Sequence, residues 1–407
     1  MKIIQRKIRV ISLLILLALI ICSASGQVKK VAEPAKIVKT YDVAAFVWPS
    51  YHPDDRAKIF WPDGIGEWQT VISNKAKFEG HEQPRYPLWG YINEADPYVA
   101  EMEISAAADH GVNVFIFDWY WYDGMPFLEG HLNAGYLKAR NNDRVKFYLM
   151  WANHDVTMTW DKRNAGLPND ALVWQGDADR EQFEIICHRV IKNYFSHPSY
   201  YKINGKPCFM IYDLNTFIQG LGGLNQAKDA LNWFRKETMK AGFKGLDLQL
   251  SLRRSGSNVT GISGDNVGTQ NDVITKLGFD GITHYQFCHF INIDRDYNEI
   301  MQDVVKEWDA LDKGNEVPYY AHVSIGWDNN PRFEMFRKGI VKNNTPENFE
   351  KALIMARDYA DAHPKQAPLI TINSWNEWTE TSYLQPCTKY GYGYLKAVKK
   401  VFVDGSN

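Results

Sequence analysis

Cysteine is scarce in this chain of 407 residues, which carries five, and one of them, Cys22, sits inside an apolar leader. The other four, Cys187, Cys208, Cys288 and Cys387, are widely spaced and form no CxxC or Cys/His ligand pattern. Zinc is therefore unsupported, and a chain this large does not need disulfides for stability, so buried free thiols are expected at Cys187 and Cys208. An excess of either charge is also lacking: 46 Lys+Arg against 48 Asp+Glu leave a formal net charge of -2, which removes the electrostatic case for a nucleic-acid partner. No HxH or HExxH pattern joins His52, His81, His154 and His284 into a metal site. The run Gly220-Leu221-Gly222-Gly223 lacks both GxGxxG spacing and a GK[ST] ending, so it reads as a turn, and no metal or cofactor is expected.

Long hydrophobic runs are missing as well. The longest, Val10 to Cys22, falls short of the roughly 20 residues that span a bilayer. It follows Lys2, Arg6, Lys7 and Arg9 and precedes Ser23, Ala24, Ser25 and Gly26, the order of a secretory signal peptide over residues 1–26 with cleavage before Gln27. A lipid anchor on Cys22 is the weaker reading, because Ile21 is bulky where such signals want a small residue. The expectation is an exported protein, periplasmic, cell-surface or secreted, with no membrane segment in its mature form. Residues 27–40 form a short extension and 41–407 one catalytic domain.

Aromatics are abundant: 14 Trp, 22 Tyr and 20 Phe. Aromatic rings on a concave surface hold the apolar faces of sugars, although a large core rich in ring packing gives the same composition. From residue 41 on, eight short apolar runs, 42–48, 113–118, 145–151, 206–212, 246–252, 280–285, 317–325 and 368–374, alternate with amphipathic segments. Runs such as VFIF and LITI lack polar alternation, as parallel strands covered on both faces do. Asp96-Pro97 caps a helix with Tyr98, Met102 and Ala106 on one face, ended by Gly111; Thr345-Pro346 caps another with Phe349, Leu353, Ala356 and Ala360. Phe183, Ile186, Val190 and Tyr194 stripe a third. Eight strands, each followed by a helix, predict an α/β fold, a single (β/α)8 TIM barrel, with the long 49–93 segment lying over its C-terminal face.

Chemistry in such a barrel sits at the C-terminal strand ends, and polar and aromatic residues cluster there. Strand one exits into Trp48 and Tyr51, strand two into Asp118 and Trp119, strand three into Trp151, Asn153 and His154, and strand four into Tyr212. Strand six exits into His284 and Tyr285, strand seven into Trp327 and Asp328, and strand eight into Trp375, Asn376, Glu377, Trp378 and Glu380. Glu377 and Glu380, three residues apart, can point into one mouth, where one donates a proton to a glycosidic oxygen and the other acts as base or nucleophile. The plainer reading is a pair of acids complementing a helix dipole.

The segments Gly66-Glu67-Trp68, Gly80-His81-Glu82-Gln83-Pro84-Arg85, Trp151-Ala152-Asn153, Gly326-Trp327-Asp328-Asn329-Asn330-Pro331-Arg332 and Trp375-Asn376-Glu377-Trp378-Thr379-Glu380 resemble glycoside hydrolase family 99-like proteins, including the WbsX-like group. The likeness runs in order over about residues 42–398. It implies a barrel acting on glycans, with Glu377 as the base on the sugar 2-hydroxyl, giving a 1,2-anhydro intermediate, and Glu380 as the general acid/base. It also implies substrate contacts at Glu67, His81, Gln83, Arg85 and Arg332. WbsX-like members usually carry Glu where His154 stands, Gly where Thr381 stands and Glu-Pro where Gln385-Pro386 stands. The expected function is an exported retaining glycoside hydrolase acting on a polysaccharide or glycan. A WbsX-like glycosyltransferase and a non-catalytic glycan-binding protein are the rivals.

Overall fold

A computed structural model describes residues 40–161, 171–262, 264 and 266–406; the leader 1–26 and the extension up to residue 39 lie outside the described residues. The eight expected runs form the strands β1 (Asp42–Val47), β2 (Val114–Tyr122), β3 (Lys146–Trp151), β4 (Lys206–Ile211), β5 (Asp247–Leu252), β6 (Gly281–His284), β7 (His322–Ser324) and β8 (Leu369–Asn373). They pair in parallel in the order β6-β5-β4-β3-β2-β1-β8-β7. The ring closes between β6 and the approach to β7, where Ile282 N donates to Pro318 O (2.9 Å) and Tyr320 N to Ile282 O (2.8 Å). The seam is thin because Pro318 has no N–H to give, so β7 is regular only over the last part of the expected 317–325 run. The fold is thus the expected α/β barrel.

Among the described residues the longer helices that cover it are α1 (Pro97–Asp109), α2 (Arg180–Val190), α3 (Leu224–Lys240), α4 (Gln270–Leu277), α5 (Tyr297–Gly314), α6 (Pro346–Ala362) and α7 (Gly393–Phe402). The caps form as read: Asp96 accepts from Tyr98 N and Thr345 from Asn348 N, each ahead of a proline. The face of α1 differs from the expectation. Tyr98 and Met102 are exposed, and Ala100, Glu103, Ile104 and Ala107 are buried, because Glu103 is drawn inward to accept from Trp375 Nε1 (3.0 Å) and Gln385 Nε2 (2.5 Å). Between β2 and β3 no α-helix forms; short turns at His131–Gly135 and Tyr136–Lys138, bracketed by glycines 130 and 135, make the crossing. All four cysteines of the domain are free, and burial pushes the Cys187 and Cys208 thiols up. Among the described residues no helix is long and apolar enough to cross a membrane.

The barrel interior is polar and hydrogen-bonded rather than oily. Thr283 and Thr371 hydroxyls meet at 2.7 Å, His322 bridges Thr371 and Ser324 (3.0 and 2.9 Å), and Tyr148 OH donates to Gln249 Oε1 (3.0 Å). Paired polar groups escape the cost of burial, so this core fixes the strand ends beneath the mouth without an unmet donor at each layer.

Candidate active site

At the C-terminal mouth, a cavity of about 130 Å³ is lined by Trp48, Asp118, Tyr120, His154, Trp160, Tyr212, Tyr285, His289, Arg332, Glu377 and Glu380, with Met150 and Ala152 at its base. Side chains alternate along a strand, so Asp118 and Tyr120 of β2 share the inner face. Glu377 lies in a two-residue bridge, Asn376–Glu377, paired with Ser382–Tyr383, and Glu380 ends the tight turn Trp378–Glu380 between them. That turn brings both carboxyls to one wall. Ser374 Oγ accepts from Glu377 N at 2.8 Å and fixes the first of them.

Arg332 organises the carboxylates. Its Nε donates to Glu67 Oε1 (3.0 Å), its Nη1 to Glu380 Oε1 (2.7 Å), and its Nη2 lies 3.6 Å from Glu377 Oε1. The guanidinium carbon sits 5.8 Å from the centroid of the Trp48 ring. Glu67, fully buried, also accepts from Trp48 Nε1, Ser50 Oγ (3.2 Å) and Thr379 Oγ1 (2.9 Å), so it is the anchor of Arg332 and lies behind the cavity wall. Burial raises the Glu377 pKa while Arg332 opposes the shift; burial and then the charge of Glu377 hold Glu380 well above the carboxylate range. Burial pushes both acids up and Glu380 the further, so of the two Glu380 keeps a proton more readily.

A third acid joins them. Tyr285 OH lies 2.8 Å from Asp118 Oδ2 and 3.1 Å from Glu377 Oε2. Burial, then the charge of Glu377, pushes the Asp118 pKa well above its usual value. Tyr285 OH donates to Asp118 and is shared with Glu377, and Asn373 Nδ2 adds a longer contact to Glu377 (3.4 Å). His154 faces Tyr120 and Tyr212, and burial lowers its pKa, which favours a neutral ring.

The expected aromatic wall is largely corrected. Trp119 points outward, donating from Nε1 to Glu129 Oε1 (2.7 Å) and stacking on Trp121; Trp151 packs against Phe183 and Phe217; Trp375 packs on Phe115. Trp119 and Trp151 are each one residue out of phase with the inner face, and Trp375 lies beyond the end of β8, where strand alternation no longer applies. His284 is likewise turned outward, stacked on Phe290 at 3.7 Å with Nδ1 2.9 Å from Tyr319 OH. Tyr51, Asn153, Asn376 and Trp378 support the mouth without lining it. Tyr51 OH accepts from Trp378 N (3.0 Å), Asn153 Oδ1 accepts from Asp213 N (2.8 Å), Asn376 brackets the Trp48 backbone with two 2.8 Å bonds, and Trp378 stacks on Tyr383 (3.8 Å).

His81, Arg85, Trp327 and Asp328 line a separate, larger hollow beside the cavity, and Gln83 lines a smaller one that shares His81 and Arg85 with it. His81 Nε2 lies 2.8 Å from Asp328 Oδ2, which also accepts from Gln83 Nε2 (3.0 Å). The larger hollow and the cavity share a wall, because Asp328 N donates to Glu380 O (2.8 Å). Thr381, in that wall, has φ +55°, the left-handed region where glycine is comfortable. Its hydroxyl donates to Asp328 O (3.1 Å) and accepts from Gln83 Nε2 (2.7 Å).

Tyr120, Trp160 and His289 were not singled out by sequence. Tyr120 was legible, two residues after Asp118 on one strand face; Trp160 and His289 sit on irregular turns with no periodic signal. Also unforeseen is a buried ionic cluster behind the turn: His131 lies 3.1 Å from Glu94 and 3.4 Å from Glu103, and Glu94 accepts from Asn376 Nδ2 (3.0 Å). Burial, opposed by His131, pushes Glu94 up to about 7; the two acids outweigh burial to push His131 up to about 10. Gln385 donates to both acids (3.1 and 2.5 Å), a neutral amide where a carboxylate would add a third negative charge.

Among solved structures the chain resembles a GH99 endo-alpha-mannosidase from Bacteroides thetaiotaomicron (13% identical, TM-score 0.56, covering 90% of this chain and 97% of that one). A glycoside hydrolase-like protein gives 16% identity and TM-score 0.55 over 89% of this chain and 94% of the other. At these identities the likeness establishes the barrel fold. Among curated sequences, a protein named WxcX from Xanthomonas campestris pv. campestris, itself uncharacterized, is 26% identical over 381 residues, 91% of this chain and 51% of its own length. The chain therefore spans about half the length of the curated relatives it matches. The family model described as glycosyltransferase WbsX matches residues 43–398, nearly the whole described barrel, and the chain belongs to that family.

Proposed function

We propose that the protein is a retaining glycoside hydrolase acting on a polysaccharide or glycan. The observation that carries this is the pair of buried carboxyls on one wall of an aromatic-lined cavity, one held ionised by Arg332 and Tyr285 and the other held protonated. In the proposed reaction Glu377 takes the proton of the sugar 2-hydroxyl. That oxygen then attacks the anomeric carbon of its own ring as Glu380 gives its proton to the departing glycosidic oxygen. Water, losing a proton to Glu380, opens the resulting 1,2-anhydro sugar from the opposite side, and Glu377 returns its proton to the 2-oxygen. Two inversions give net retention. Arg332 keeps Glu377 ionised and Glu380 oriented, and Trp48, Tyr120, Trp160 and Tyr212 offer ring faces to the sugar.

The test is a hydrolysis assay on α-mannans, rhamnose-containing polysaccharides and host glycans, with NMR of the newly formed anomeric centre. Release of a product that keeps its configuration supports the reading; inversion, or glycan binding without cleavage of any substrate, defeats it. The family's description favours a second reading, in which an acceptor hydroxyl replaces water and the same carboxyls transfer the glycosyl group. A longer product, rather than a free reducing end, would identify that activity. Export remains part of the proposal: the mature chain is expected to start near Gln27, and an intact mass retaining Met1 to Gly26 would refute it.

A further inference from the structure

The hollow beside the catalytic cavity measures about 780 Å³, within the roughly 300–1,000 Å³ typical of ligand pockets. None of its lining is needed by the reaction above, yet its wall is the residue after Glu380. Its surface has two features that ordinary solvent-facing loops lack. The first is exposed ring area: Phe78 and Phe336 meet edge to face at 5.4 Å while each is 47% exposed, and Trp327 and Tyr390 continue the apolar lining. The second is charge. Five basic side chains, Lys77, Arg85, Lys338, Lys342 and Lys389, line it against three acids, Glu82, Asp294 and Asp328, in a chain whose overall balance is slightly negative.

Where those acids are engaged sharpens the imbalance. Asp328 is buried and committed to His81, Gln83 and Asn330. Asp294 pairs with Lys342 (3.3 Å), while the single carboxylate of Glu82 serves both Arg85 (3.1 Å) and Lys389. Lys338 has no ion pair among the described residues. Arg85, only 13% exposed along its side chain, keeps a buried Nε with no hydrogen-bond partner. A half-neutralised pair of cations, a partly unsatisfied guanidinium and a lone lysine around ring faces form a site for a sugar that carries negative charge. Ring faces take its apolar side, and the guanidinium fork takes a carboxylate.

We propose that this hollow is a subsite for an acidic sugar, so that the glycan handled at the neighbouring carboxyls contains uronate residues. The inference rests on the glycan-directed reading above and names its substrate class. Calorimetric titration of the Glu380→Gln protein, in which cleavage is blocked, would use oligogalacturonate, oligoglucuronate and oligomannuronate, each beside its carboxyl-reduced counterpart, and GDP as the anionic non-glycan. At least one acidic oligosaccharide should bind about 10-fold or more tighter than its reduced form, with the preference shrinking in high salt. The added substitutions Lys338→Gln and Lys389→Gln, both on the hollow's rim, should abolish that preference without lowering the melting temperature. Equal binding of acidic and reduced forms, no binding of either, a preference that survives the double substitution, or tighter binding of GDP through the same lysines would each overturn the proposal. Cleavage of a neutral glycan by the wild-type protein alongside no uronate preference defeats this inference alone; uronate binding without hydrolysis of any glycan defeats the hydrolase reading alone.

Discussion

Replacing Glu380 by Gln and Glu377 by Gln should damage turnover to a similar degree but stability to different degrees. Both changes keep side-chain size, and in Glu380→Gln the new amide oxygen can still accept from Arg332 Nη1, which stands 2.7 Å from Glu380 Oε1. Because burial and the charge of Glu377 hold Glu380 protonated, Glu380→Gln exchanges one neutral group for another. Its effect on stability should be the smaller of the two. Glu377 is the ionised partner of Arg332 and accepts from Tyr285 (3.1 Å), so Glu377→Gln removes a counter-charge from a buried guanidinium. Glu67 and the polar rim soften that loss, leaving about 2–3 kcal/mol from the range measured for broken buried pairs. Turnover should fall at least ~100-fold in each variant. A glycosyl fluoride, whose leaving group needs little protonation, should partly rescue Glu380→Gln and not Glu377→Gln. In the wild type, activity should fall in acid as Glu377 takes a proton and in base as Glu380 loses one, with the acid limb above the ordinary carboxylate range. Thermal melts and initial rates of both variants on natural and fluoride substrates are the assay. The reasoning fails if Glu380→Gln is the less stable variant, if fluoride rescues Glu377→Gln, or if either variant retains wild-type turnover.

The aromatic correction is testable: Tyr120→Ala should weaken glycan binding by about 1 kcal/mol, whereas Trp119→Phe should leave affinity unchanged and register only in the melt. In the wall between the hollows, Thr381→Gly trades relief of about 1–2 kcal/mol of left-handed strain against two hydrogen bonds of about 1 kcal/mol each. It should be near neutral, while Thr381→Val keeps the strain, loses both bonds and should melt lower than the glycine variant. His131 is pushed up to about 10, so its contribution is complete below its ordinary value and is lost as pH rises through about 10, while Glu94, pushed up to about 7, loses its share earlier, as pH rises through about 7. His131→Gln, which leaves Glu94 and Glu103 facing each other, should cost about 3–5 kcal/mol at neutral pH and flatten that alkaline fall in denaturant titrations.

Much of the barrel was legible in the sequence because strand and helix signals are local. A short apolar, β-branched run such as 369–373 forms a strand wherever it is covered on both sides, and Asp96-Pro97 starts a helix by its own hydrogen bond. The carboxylate pair was legible for the same reason: three residues separate Glu377 from Glu380, and a single tight turn aims both. The inner and outer faces of the strands were not. When both faces are buried the sequence shows no polar alternation, so nothing local tells whether Asp118 or Trp119, Trp151 or Ala152, faces the axis. Closure of the ring decides that, and with it which aromatic side chains meet a sugar. Tertiary structure alone also set the protonation of Glu377, Glu380 and Asp118. Their ordinary acidity is a property of water, and only assembly, which brings Arg332, Tyr285 and the Trp48 ring around them and expels the solvent, separates one carboxyl from the next.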